Sequence, residues 1–183
     1  FQEYLAATEL ASSMDYAEKV LKLAAQGDYW REVILLSMGY WVHEREMLVM
    51  PRLVIRDLCP DEEPTEDAGW RRVRLAAEAL LEIGVHRLTD MDDPDEEIGP
   101  GERLKRSVLK LLTALVEGGN LPAAERVHAG EVLGKLGDPR FDPGRWWLPV
   151  LYRGNLEKCS GFVEIESGPL VMGSSAEEVE KLA

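Results

Sequence analysis

One stretch limits what this chain can become: Asn120 to Arg140, a helix complete with its own punctuation. Pro122 stands where a first helical turn has no N–H to lose, and Gly137 supplies a left-handed stop. Asp138-Pro139 then forbids continuation. Between these signals Ala129, Val132, Leu133 and Leu136 recur at i, i+3, i+4 and i+7, one buried stripe. Gly130 and Gly134, one turn apart, predict the close approach of another helix or strand. Nothing in the stretch is chemically reactive. The segments before it read as helices stacking towards it, and the residues after it read as non-helical chain.

The preceding helices are predicted by the same periodicity. Residues 1–7 form a good helix with Phe1 and Leu5 on one face, and a second runs from about Met14 to Gln26, ending at Gly27-Asp28. Tyr29 to Gly39 is apolar nearly all round and is expected to be the most buried helix. Glu44 to Leu58 is helical with a kink or split at Pro51. Trp70 to Ile83 places Trp70, Val73, Ala77, Leu80 and Leu81 on one face. Glu102 to Glu117 carries Leu104, Val108, Leu111, Leu112 and Leu115, the cleanest amphipathic pattern in the chain. A single core is expected to hold Trp30, Ile34, Val108, Leu111, Leu112, Leu115 and Leu133. Helix, short break, helix, at an irregular period of roughly 35–45 residues, predicts a mainly α, HEAT-like, irregular helical repeat bundle. No strict repeat consensus is present. After Gly137 the chain changes character, and Gly161 to Ser174 alternates and turns like a short β-hairpin.

Composition narrows the partners. Asp and Glu outnumber Lys and Arg 34 to 21, a net charge of -13, which argues against nucleic acid or an anionic membrane surface. No apolar run approaches the about 20 residues of a membrane-spanning helix. Cys59 and Cys159 are far apart and lack metal spacing, which reads as reduced thiols in a cytoplasmic protein. The chain opens at Phe1 already inside a helical pattern, so it is expected to be cut from a longer polypeptide.

Two short motifs in order carry a resemblance. Phe1-Gln2-Glu3-Tyr4-Leu5-Ala6-Ala7, and later Trp30-Arg31-Glu32-Val33-Ile34-Leu35-Leu36 with Gly39 nearby, resemble the end of the winged helix and the following helices of NACHT-type (STAND) signal-transduction ATPases. Near the other end, Phe162-Val163-Glu164-Ile165-Glu166-Ser167-Gly168-Pro169-Leu170-Val171-Met172-Gly173-Ser174 resembles the first strands of the formylglycine-generating (sulfatase-modifying factor) fold. Glu166 stands there in place of Pro and Leu170 in place of Phe. The resemblance implies four parts: the end of a winged-helix-like segment (1–12), an α-helical repeat domain (13–143), a linker (144–160) and the truncated start of a formylglycine-generating-like domain (161–183). It implies a non-catalytic regulatory or interaction segment, a sensor or linker in a multidomain bacterial signalling or defence protein. Its partners would be other proteins or neighbouring domains of the same polypeptide. Any ATP and magnesium would bind in a module upstream of Phe1. The downstream fold overlaps the C-type-lectin-like fold, so it can equally be a ligand-binding module. Two rival readings are the helical leader of a formylglycine-type oxidase and a free-standing HEAT-like adaptor with an acidic surface.

No candidate catalytic, cofactor or metal residues survive inspection of the motifs. Gly130, Gly134, Lys135 and Leu136 echo a P-loop, but the spacing is one short and Leu136 replaces the Ser or Thr that holds magnesium. His43-Glu44-Arg45-Glu46-Met47 begins like a zinc-protease helix, with Met47 where the second His is required. His43, His86 and His128 are isolated and read as surface or helix-end residues. Asp90, Asp92, Asp93 and Asp95 mimic a calcium loop, but Asp95 replaces its glycine and Pro94 occupies a ligand position. That run, like Asp61 to Asp67, reads as a solvated acidic loop. Cys59 reads as structural, and Cys159 matches no catalytic position.

Overall fold

The computed structural model describes residues 1–145, 148, 149 and 168. Two compact units divide the chain, Phe1–Pro139 and Arg140–Ala183. The expected hairpin within 161–183, and most of the expected linker, lie outside the described residues.

The first unit is mainly helical. Its helices are α1 (Gln2–Ala11), α2 (Tyr16–Ala24), α3 (Arg31–His43), α4 (Val49–Leu58), α5 (Asp67–Ile83), α6 (Val85–Thr89), α7 (Pro100–Gly118) and α8 (Ala123–Leu136). A 3-10 turn, Asp28–Trp30, leads into α3. In the second unit β1 (Phe141–Asp142) pairs antiparallel with β2 (Leu148–Pro149), Phe141 opposite Pro149. The Arg140 guanidinium lies 5.8 Å from the Phe141 ring centroid.

The 120–140 stretch folds as its punctuation predicts. Pro122 is the N-cap of α8, and Gly137, at φ 93°, ends it in the left-handed region. Ala129, Val132, Leu133 and Leu136 are its buried residues. Yet the unit is centred on α5, which packs against α3, α4, α7 and α8. Trp70, Val73, Leu75, Ala76, Ala77, Ala79, Leu80 and Ile83 are all buried there, so α5 rather than α3 is the most enclosed helix. The reason is position: the three alanines let neighbours come close all round, whereas Leu35, Leu36 and Tyr40 of α3 sit half-buried at its margin.

Two further expectations are corrected, those on Pro51 and Trp30. Pro51 does not kink a long helix. It lies in the first turn of α4, where no intrahelical N–H bond is lost, and residues 44–48 form a connection with Glu46 at φ 52°. In α1 the buried residues are Ala7, Leu10 and Ala11, which pack with α3, while Phe1, Tyr4 and Leu5 face solvent. Of the expected core, Ile34, Val108, Leu111, Leu112, Leu115 and Leu133 are buried together, but Trp30 is only half-buried. Its indole N–H donates to Gln26 Oε1 at 3.1 Å.

Gly130 and Gly134 are not sites of close packing. A methyl group at either would meet nothing within 4 Å among the described residues. Both lie inside α8, where glycine costs backbone entropy relative to alanine. Gly130→Ala and Gly134→Ala should therefore each stabilise the unit by about 0.5–1 kcal/mol. Urea denaturation of the two variants checks this, and a loss of stability in either would mean that another surface covers α8.

Candidate functional site

A hollow of about 580 Å3 in the helical unit is lined by two helix faces of the same pattern. α4 contributes Val49, Arg52, Leu53 and Arg56, and α7 contributes Pro100, Arg103, Leu104 and Ser107. Each set falls at i, i+3, i+4 and i+7, so each is one continuous stripe about 10 Å long. Both helices pack on α5, α4 also on α2 and α7 also on α8. Val54, Ile55 and Leu58 of α4 and Val108, Leu111 and Leu112 of α7 are buried, while Leu53 and Leu104 stay half-buried at the groove. Met91, 51% exposed, and Asp61 complete the rim.

The arginines of this groove are held differently. Arg56 bonds its neighbour Asp57 through Nε at 2.9 Å. Arg103 donates to the Ile98 carbonyl and reaches Glu96 at 3.8 Å. The Arg52 guanidinium makes no hydrogen bond or ion pair among the described residues. What this wall offers chemically is recognition: fixed positive charge beside leucine surface.

α7 is placed by a cap that corrects the reading of the second acidic loop as merely solvated. Asp92 turns back and accepts the Gly101 N–H at 2.6 Å and the Glu102 N–H at 2.8 Å, satisfying two of the free donors at the start of α7. Gly99 and Gly101 make room for it, because a Cβ on Gly99 would collide with the Asp92 side chain and one on Gly101 with the Leu88 carbonyl. Burial of Asp92 works to raise its pKa. The two backbone N–H donors, with Arg52 and Arg103 nearby, outweigh that and leave it below the ordinary value.

Cys59, at the end of α4, lines the same groove but is buried. Burial, with the Asp61 charge, pushes its thiol pKa up to about 11, so at neutral pH it is a protonated packing residue and not a nucleophile. A smaller hollow of about 210 Å3 involves Tyr4, Gly39, His43 and Glu82. There Glu82 Oε1 lies 3.0 Å from where a Gly39 Cβ would stand, so the small residue admits the carboxylate of α5. His86 lies in α6 beside Gly84.

His128 is not an isolated surface histidine. Its Nε2 lies 2.7 Å from Glu78 Oε1, and because a carboxylate only accepts, Nε2 carries the proton. Glu78 Oε2 also accepts from Arg31 Nε at 2.6 Å. Arg74, one turn earlier on α5, donates to Glu125 at 2.8 Å and to Asp28, and Arg71 grips Glu125 through Nε at 3.0 Å and a second nitrogen at 3.1 Å. The side chains of Arg74 and Glu78 are only 5% exposed. This chain of charges ties the turn before α3, α3 itself, α5 and α8 together. Its partners lie about fifty positions apart in sequence, beyond any local spacing signal.

Among the described residues, no group of three or more His, Cys, Asp and Glu side chains is placed to hold a metal ion. No described helix is long and apolar enough to cross a membrane.

The ionisable groups set a pH window. The Arg71 hydrogen bond, with Arg74 alongside, holds Glu125 below the usual carboxylate range against the opposing effect of burial. Arg106 and Lys105 do the same for Glu102. A lowered native pKa contributes stability above the unfolded value of about 4.3, lost as pH falls through the native one. At the alkaline edge burial raises Tyr16 to about 12 and Cys59 to about 11, contributions present below their unfolded values and lost as pH rises towards those numbers. Thermal unfolding from pH 3 to 11 should give a plateau near neutrality with losses at both ends. An undiminished melting temperature at pH 3 would contradict the carboxylate part.

Compared with known proteins, the chain matches no protein-family model, no curated protein and no solved structure.

Proposed function

We propose that the helical unit is a non-catalytic interaction domain, a sensor or linker of the kind that the NACHT/STAND resemblance implies, and that its work is done in the α4–α7 groove. The observation that carries this reading is the pair of Arg–Leu stripes lining one open hollow. Leu104 also packs against the core, but both stripes set arginine, a residue type enriched at protein interfaces, beside half-buried leucine on one open hollow. The protonated state of Cys59 is in keeping with a binding role for the groove. On this reading the helices form a degenerate HEAT-like array in a cytoplasmic protein. The partner is another protein or a neighbouring domain, and a binding event reaches the rest of the polypeptide as a change in domain packing. ATP and magnesium belong to another module.

Photo-cross-linking tests it. A photoreactive residue at Ser107, in the full reading frame expressed in cells, should give a discrete adduct with a neighbouring domain or a second protein. The same residue at Glu18, on the exposed side of α2, should not. Equal yields at the two positions would remove the groove from consideration.

A further inference from the structure

The charge and spacing of the groove point to its occupant: we propose that it receives an acidic, amphipathic α-helix from a protein partner, with carboxylates meeting Arg52 and Arg103 and an apolar residue between Leu53 and Leu104. This rests on the interaction reading above and specifies the partner's chemistry.

The spacing of the wall is that of a helix. Two stripes at i, i+3, i+4 and i+7 flank one hollow over about 10 Å, two turns of helix. A third helix laid along them presents residues at the same period, the helix-in-groove mode of recognition. The leucines that would contact it, Leu53 and Leu104, are half-buried, and Met91 at the rim is unbranched and able to adjust.

The charge of the wall runs against that of the whole. In a chain carrying -13 overall, it has three arginines against Asp61. Asp92 attracts Arg52 without touching it, because its oxygens accept the α7 N–H groups, and Arg52 makes no ion-pair contact among the described residues. A carboxylate offered by a partner meets a guanidinium bidentately, with no new burial of unpaired charge. Inorganic phosphate would satisfy the arginines but leave Val49, Leu53 and Leu104 against water. A polynucleotide would meet the repulsion of the remaining acidic surface. Only an acidic helix with an apolar edge matches both halves of the wall.

The test uses the 183-residue chain and three labelled designed helical peptides of about 16 residues. They share one leucine face and differ only in flanking residues, which are Glu, Gln or Lys. Fluorescence anisotropy should show the Glu peptide binding at least about tenfold tighter than the Gln peptide, with affinity falling between about 50 and 300 mM salt. The Lys peptide should not saturate. In the double variant Arg52→Glu, Arg103→Glu, which also removes two guanidiniums near the Asp92 cap of α7, the order should invert in favour of Lys. Circular dichroism verifies that the variant is folded. Equal affinity for Glu and Gln peptides, an unchanged order in the variant, or saturation by inorganic phosphate with no peptide binding would each overturn the acidic-helix partner. The Ser107 adduct would stand untouched by those results, whereas its own absence would remove the groove itself.

Discussion

Leu112→Ala lowers the unfolding free energy by about 2–5 kcal/mol, the cost of a large-to-small change at a fully enclosed site. Leu112 is completely buried in α7, on the stripe with Val108, Leu111 and Leu115, and α7 packs against both α5 and α8. Truncation removes apolar surface from the interior and leaves a space that three helices border. Two of those helices, α5 and α8, are tied together by the ion pairs of Arg71 and Arg74 with Glu125, which limits how far the site can collapse and favours the upper part of the range. Alanine's better helix propensity returns only a few tenths of a kcal/mol. Val127→Ala on the 64% exposed face of α8 is the matching control, expected within about 0.5 kcal/mol of the parent. Chemical denaturation of both variants decides it. A Leu112 variant as stable as the control would put the α7 stripe at a surface and undo the packing of α7 on α5 and α8.

Where physics is local, the sequence is legible. Gly137 must end α8, because Asp138-Pro139 bars the helix and a left-handed residue is needed before it. Val108, Leu111, Leu112 and Leu115 are buried because they form the most apolar face of α7. The centre of the fold is not legible in this way. Alanines 76, 77 and 79 carry weak hydrophobic signals, and only the number of helices that converge on α5 buries them completely. Gly130 and Gly134 are the opposite case: a one-turn pair has the form of a packing motif, but whether a neighbour arrives is a tertiary fact, and none does among the described residues. Asp92 is hidden among four similar aspartates, with only Gly99-Pro100-Gly101 as a clue that a side chain folds back over the helix start. The groove has a readable signal, Arg-Leu at matching places in 49–56 and 100–107. Pro51 obscures it, because a proline amid apolar residues has the form of a helix break, whereas here it stands inside the first turn of a separate helix.

Glu78→Ala is expected to cost about 3 kcal/mol, the lower end of the 3–5 kcal/mol typical when one member of a buried ion pair is removed. Glu78 is 5% exposed and serves Arg31, His128 and, at 3.6 Å, Arg74 Nε. Removing it does not strand all three. Arg31 at 31% and His128 at 41% exposure can turn to water, Glu32 or Glu131. Arg74 is the one cation of the cluster held in the interior, and it keeps Glu125 and Asp28 but loses the neighbour on its own helix. That partial rescue is why the lower end of the range applies. The sign of a second variant is fixed by the same physics. With Arg74→Met and Glu78→Leu together, no charge remains at the two enclosed positions, Glu125 retains its two bonds from Arg71, and Asp28, 53% exposed, returns to solvent. Burying two charges costs much of what their attraction yields, so the apolar pair should recover most of the loss and approach the parent within about 1 kcal/mol. Equilibrium denaturation of the single and double variants separates two physical accounts of the cluster. Recovery means that the charges chiefly specify how α3, α5 and α8 register against one another. A double variant as damaged as the single one would mean that the hydrogen-bonded network itself supplies net stability, and desolvation would not be the larger effect in this core.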